Sequence, residues 1–269
     1  METIAFVFIF LLGTIIGSFL NVVIYRFNTG KTLVKGGSIC MTCNKKLCWY
    51  ELIPVFSFLI QSGKCRKCAS NISHQYPIVE LATGLLFALL AVHFLPILLI
   101  SQFKFIFLMS IYAFVFSLLM VIVVYDIRHK IIPDKLVYAF ILISFLLLFI
   151  DSTGLNSIFV LPTFMNVLAG PILASPFALL WLVSRGAWMG LGDAKLVLGI
   201  GWMLGLSTAL TAVTLSFWIG AIVSVSLLLL SSKKMNMKTE VPFAPFLIIG
   251  TLVAFLYNID IFSLASIFN

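Results

Sequence analysis

The chain has nine acidic residues, few enough to place one by one, and three of them stand where charge is hardest to explain. Asp126 ends an apolar run and opens DIRHKIIPD, which closes on Asp134. Asp193 sits in WMGLGDAKLV, directly before another apolar run. The other six have simpler explanations: Glu2, Asp151 and Asp260 at predicted outer ends of apolar segments, Glu51 and Glu240 in polar loops, and Glu80 at a helix start, where a carboxylate is favoured. Two carboxylates brought together cannot both ionise easily, so one keeps a proton while the other acts as a base. Such a pair can activate a water and protonate a leaving group, which is hydrolysis without a metal.

Other uses of these residues remain open from spacing alone. Asp134 follows Pro133 and suits a helix cap or first turn. Asp193 could cap a helix or pair with Lys195, and Asp126 could pair with Arg128 or Lys130. Gly190 and Gly192 precede Asp193; residues without a Cβ permit irregular backbone and close approach by another chain.

A second constellation is made of cysteines: Cys40-Met-Thr-Cys43 and Cys65-Arg-Lys-Cys68. Two CxxC pairs at this separation are the ligand pattern of a structural tetrathiolate zinc site, each pair offering two sulfurs to one tetrahedral ion. Two disulfides, or a redox pair, are the other uses of such cysteines. Cys48 is left over with no role. His74 could ligate a metal, but four cysteines suffice.

The elements that must position these groups follow from composition. The chain of 269 residues is 62% hydrophobic and 10% charged. A membrane-crossing helix takes about 20 apolar residues, and runs of that order recur throughout, which predicts an all-α polytopic membrane protein. Eight spans are expected, near 4–24, 79–99, 105–125, 136–150, 161–183, 194–207, 209–230 and 244–262. With the N-terminus outside, the loops around 25–78, 126–135, 184–193 and 231–243 lie inside and, with their edges, hold every Lys and Arg of the 17 except Lys104. The net charge of +8 therefore reads as membrane topology and not as a nucleic-acid surface. Asp126 and Asp193 then share the inner face. Residues 1–25 form the first helix, 26–78 a polar cytosolic insert, and 79–269 the membrane-embedded body. The insert is too small to fold securely without a metal or disulfides.

Read together, GSFLNVVIYR (17–26), the two CxxC pairs, ELIPVFSF (51–58), ISHQYPIVEL (72–81), YDIRHKIIPD (125–134), GLGDAK (190–195) and PFAPFL (242–247) resemble the type IV prepilin peptidases, a family of GxGD-type intramembrane aspartic proteases. The resemblance implies that Asp126 and Asp193 are the catalytic pair, with Asp134, Gly190, Gly192 and Lys195 in support, and that Cys40, Cys43, Cys65 and Cys68 hold structural zinc in a zinc-ribbon-like insert. It further implies an enzyme of the bacterial cytoplasmic membrane that removes the basic leader of prepilins or pseudopilins at the cytosolic face. Many members then methylate the new N-terminus with S-adenosylmethionine; no residues for that co-substrate can be named from the sequence. Three alternatives remain: a peptidase without methylation, a transporter whose buried acids relay protons or ions, and a zinc-bearing membrane adaptor without catalysis. Gly13-Thr-Ile-Ile-Gly17 is a small-residue face for helix packing, within one chain or between two.

Overall fold

The computed structural model describes residues 2–29, 32, 37–151, 158–230 and 242–260. The expected inner loop at 231–243 lies outside the described residues as far as 241, with Glu240, Lys233, Lys234 and Lys238, as do Lys31, Lys35 and the last residues of the final span. The described chain is helical, with isolated backbone bridges and no strand among the described residues. It divides into two compact units, Met1–Val121 and Ile122–Asn269.

The first unit contains α1 (Glu2–Arg26), a single 3-10 turn (Trp49–Glu51), the short α2 (Phe56–Ile60), α3 (Gln75–Ile100) and the first part of α4 (Gln102–His129). Its framework is the α1–α3 pair. The Gly13/Gly17 face accounts for how tightly they pack. A Cβ added at Gly13 would fall 2.9 Å from the Cα of Gly84, and one at Gly17 would fall 2.8 Å from the Cα of Glu80. The small-residue face is thus used within the chain, where it lets the two backbones approach. Farther along α3, Phe94 packs against Tyr112 of α4, with ring centroids 5.3 Å apart.

The second unit contains the end of α4, α5 (Asp134–Leu147), α6 (Phe164–Ser184), α7 (Leu191–Leu204), α8 (Leu206–Leu230) and α9 (Ala244–Tyr257). α7 is its hub, packed against α5, α6, α8 and α9. Small residues make this possible: Gly199 abuts the ring of Phe140 on α5, and Gly201 abuts the backbone of Gly170 on α6. Trp202 locks the α6 contact by donating its indole N–H to the Val167 carbonyl at 2.8 Å.

Every expected span coincides with a helix, but their lengths differ. Five helices are long and apolar enough to cross a membrane, namely α1, α3, α4, α6 and α8. The other three, α5, α7 and α9, have 14 residues each. At 1.5 Å per residue that is about 21 Å, short of a hydrocarbon core of about 30 Å. α7 is stopped by Gly205 at φ +77°, a conformation an L side chain rarely adopts, and α8 begins one residue later. Five apolar helices of crossing length make this a multi-pass membrane protein.

Candidate active site and metal centre

Asp126 lies in the last turn of α4 and is only 4% exposed. A helix C-terminus carries partial negative charge, so α4 itself disfavours a carboxylate there. The compensation comes from α9, whose first residue, Ala244, donates its backbone N–H to the Asp126 carboxylate. The positive end of the α9 dipole thus faces this acid. Pro242 and Pro245 bracket that start; proline is tolerated in a first helical turn and excluded from an interior, so PFAPFL marks where α9 must begin.

Asp193 is the third residue of α7 and is also buried, at 8% exposure. Its carboxylate reaches back to accept the N–H of Gly190, the residue that caps α7. That is the acidic half of a capping box, satisfying one of the free amides at a helix start. Asp126 is close enough to Asp193 to act on it electrostatically. The second unit therefore brings together two buried acids from different helices, each tethered by one backbone amide.

Lys195 does not pair with Asp193. It forms an ion pair with Asp134 at 2.7 Å and lies 4.8 Å from the centroid of the Tyr138 ring. Asp134 is 62% exposed, so the pair ties the start of α5 to α7 in a solvated setting. Exposed pairs contribute about 0–1 kcal/mol. Lys195→Met should accordingly lower stability by no more than about 1 kcal/mol, read as the midpoint of a denaturant titration; a larger loss would mean the pair carries the α5–α7 contact.

The two glycines do different things. Gly190 has an ordinary extended conformation at φ −74°, and a Cβ there would sit 3.6 Å from the Asp193 carboxylate. Gly192 is helical, and its missing Cβ makes room for Ile132, whose Cβ would be 2.9 Å away. Ile132 belongs to the segment joining Asp126 to Asp134, so Gly192 is where the two acidic motifs touch. Gly192→Ala should cost about 1–3 kcal/mol through overpacking, measured as a lowered thermal midpoint. Gly190→Ala, with ordinary contacts, should cost less.

The cysteines form the other cluster. The four sulfurs of Cys40, Cys43, Cys65 and Cys68 all lie within 4.8 Å of one another, and none is in a disulfide. Zn–S bonds of about 2.3 Å at tetrahedral angles place sulfurs about 3.8 Å apart. Cys40 and Cys68 are 3.8 Å apart. The two pairs have one geometry. In each, the first cysteine N–H donates to a carbonyl five residues on (Cys40 to Lys45, Cys65 to Ser70, both 2.9 Å). In each, the residue after the second cysteine, Asn44 or Ala69, turns at positive φ and donates back to the first cysteine carbonyl. Bridges between Ile39 and Lys46 and between Lys64 and Asn71 close the two knuckles. Backbone N–H groups of Cys43 and Thr42 point at the Cys40 sulfur and pull its thiol down to about 6. Against the pull of the Lys45 N–H, desolvation and the other three sulfurs push Cys43 up to about 11. One thiolate forms readily here, and four together call for a cation. The donor set fits a metal ion, whereas Cys48 is exposed and outside the cluster.

A multi-pass helical membrane protein with a coupled pair of buried carboxylates and a four-cysteine insert is the class these features define. Residues 113–225 match the type IV leader peptidase family, and residues 11–94 match the bacterial peptidase A24 N-terminal domain. The chain is 32% identical to the prepilin leader peptidase/N-methyltransferase of Bacillus subtilis over 95% of each chain. It is 30% identical to proteins of the same name from Stutzerimonas stutzeri and Pseudomonas aeruginosa, over 92% of this chain and 89% of theirs. No solved structure matches it. The chain belongs to the type IV leader peptidase family and is an enzyme of that family.

The sequence alone did not point to Ala244 as the partner of Asp126 or to Ile132 as the neighbour of Gly192. The prolines of PFAPFL were the available signal for the first.

Proposed function

We propose that Asp126 and Asp193 are the catalytic dyad of a prepilin leader peptidase. The observation that carries this reading is the electrostatic coupling of two buried acids, each with one backbone donor, in the motifs that give the family its resemblance. One carboxylate, ionised, takes a proton from a water as it attacks the scissile carbonyl. The other, protonated, donates to the carbonyl oxygen and later to the leaving amine. Gly190 caps α7 ahead of Asp193, Gly192 lets the first turn of α7 close on Ile132, and Asp134 with Lys195 ties α5 to α7.

The distribution of basic residues supports an orientation with the N-terminus outside and the insert and active site at the cytosolic face of the bacterial inner membrane. A prepilin or pseudopilin, with its basic leader inside and its apolar helix in the bilayer, would present its scissile bond at that face. The four cysteines of the 26–78 insert hold zinc in a structural role, since a closed tetrathiolate site has no open position for catalysis. After cleavage the enzyme methylates the new N-terminal amine with S-adenosylmethionine, as the names of its relatives suggest.

Purified chain given a prepilin substrate and methyl-labelled S-adenosylmethionine should yield a shortened, labelled pilin. Cleavage without label would reduce the reading to a peptidase alone, and no cleavage would end it.

A further inference from the structure

The insert between α1 and α3 turns large apolar side chains outward. In α2, Phe56, Leu59 and Ile60 stand at i, i+3 and i+4 on one side of the helix, and each is more than half exposed. The other side is taken up by the protein: the Phe58 ring meets His74 with centroids 5.5 Å apart, and a Cβ at Gly63 would lie 3.0 Å from that ring. Beside α2, the 3-10 turn adds Trp49, more than three-quarters exposed, and Tyr50. Surfaces that meet only water seldom carry so contiguous an apolar face; one rimmed by polar groups marks a protein or membrane contact. We propose that this face is an in-plane membrane anchor, seated among anionic phospholipids in the headgroup layer of the leaflet on the insert's own side.

Depth points to lipid. α1 has 25 residues and α3 has 26, about 38 and 39 Å at 1.5 Å per residue, whereas the hydrocarbon core is about 30 Å thick and the bilayer with its headgroups about 40–45 Å. Their ends therefore reach the headgroup layer. Glu80 is about one and a half turns from the start of α3, and its buried carboxylate accepts the Val55 N–H at 2.7 Å. α2 starts at the next residue, so it lies level with the edge of the hydrocarbon. Val55 has φ +61°, an outlier for a β-branched residue, and the bond to Glu80 holds it there, which fixes the heading of α2. At the same level α3, itself a membrane-crossing helix, exposes Ile78 and Leu81. The apolar surface that the span shows to lipid is thus matched, at one depth, by that of α2.

Charge points the same way. Lys46, Lys64, Arg66 and Lys67 are exposed on the insert, and the Arg66 guanidinium lies 5.1 Å from the centroid of the Tyr50 ring, at the border of the apolar face. Against them residues 26–78 hold a single acid, Glu51, which is buried and paired with Lys45 at 3.1 Å. Apolar and aromatic side chains with cations beside them suit an anionic membrane surface: the apolar groups enter the headgroup boundary, tryptophan and tyrosine settle at the interface, and the cations meet phosphate. The same cations would repel the basic leader of the proposed substrate, so a leader peptide does not fit this face. Because the second cysteine knuckle begins at Cys65, shortly after α2 ends at Ile60, seating α2 also keeps that knuckle at the membrane surface.

The test uses the full chain in proteoliposomes of phosphatidylethanolamine and phosphatidylglycerol, with Leu59 replaced by the photoreactive residue p-benzoylphenylalanine. Irradiation should yield phospholipid adducts on the peptide that carries position 59, read by mass spectrometry. Cross-links to a second copy of the chain, to another segment of the same chain or to an added prepilin, in place of lipid, would each overturn the proposal, as would an absence of adducts. A second arm compares the unaltered chain with Phe56→Ser/Leu59→Ser/Ile60→Ser for trypsin cleavage at Lys64, Arg66 and Lys67. The three side chains are mostly exposed, so the variant should keep the thermal midpoint and metal content of the unaltered chain while its cleavage in the proteoliposomes speeds up about tenfold or more. Equal cleavage of the variant and the unaltered chain would overturn the anchor, and faster cleavage with a lowered thermal midpoint would make the face a folding contact instead.

Discussion

Asp126→Asn and Asp193→Asn should each remove leader cleavage, by a factor on the order of 10⁴ or more in kcat, while the chain still folds. Asparagine keeps the shape and one acceptor oxygen, so the N–H groups of Ala244 and Gly190 remain satisfied. What it cannot do is exchange a proton. Both positions are buried, and a neutral amide is easier to keep out of water than a carboxylate. The thermal midpoint of either variant should therefore equal or exceed that of the unaltered chain, the usual relation between a functional charge and stability. The double variant should be no slower than either single one, because two acids working as one unit lose their function once. The pH–rate profile should be bell-shaped, its limbs belonging to the pair jointly. Full cleavage by either single variant would exclude the dyad. Loss of cleavage with a lowered thermal midpoint would point to a structural acid.

The helices, the cysteine cluster and the two acids could be read from the sequence because each is a local pattern. An apolar run reports a span, and CxxC reports a knuckle whose hydrogen bonds close within a few residues. Helix ends were less legible. Hydropathy continues through Phe149 and Ile150, whereas α5 stops at Leu147; it also runs past Gly205, which ends α7. Least legible were contacts between distant segments: Ala244 with Asp126, Ile132 with Gly192, Glu80 with Val55. No fixed spacing encodes them. The ion pair shows the limit clearly, because Lys195 is two residues from Asp193 in sequence and yet reaches Asp134, since residues two apart on a helix do not share a face.

Cys40→Ser or Cys65→Ser should release the metal and unfold the insert, and the reason lies in what the insert lacks. Among the described residues between Phe27 and Ile78, only Glu51 and Cys65 are buried, and Trp49, Phe56, Leu59 and Ile60 are exposed. The described residues of the insert supply no apolar core to hold the two knuckles together, so the ion that joins them must. Apparent zinc-binding energies of about 10–16 kcal/mol far exceed what so small a segment gains from burial. Purified protein should contain about one zinc per chain. Either serine variant should lose nearly all of it and become open to proteolysis between α1 and α3, with α1 and α3 still packed through Gly13 and Gly17. Cys48→Ser, outside the cluster, should keep the full complement. Zinc lost equally from the Cys48 variant, or absent from the unaltered chain, would remove the shared site.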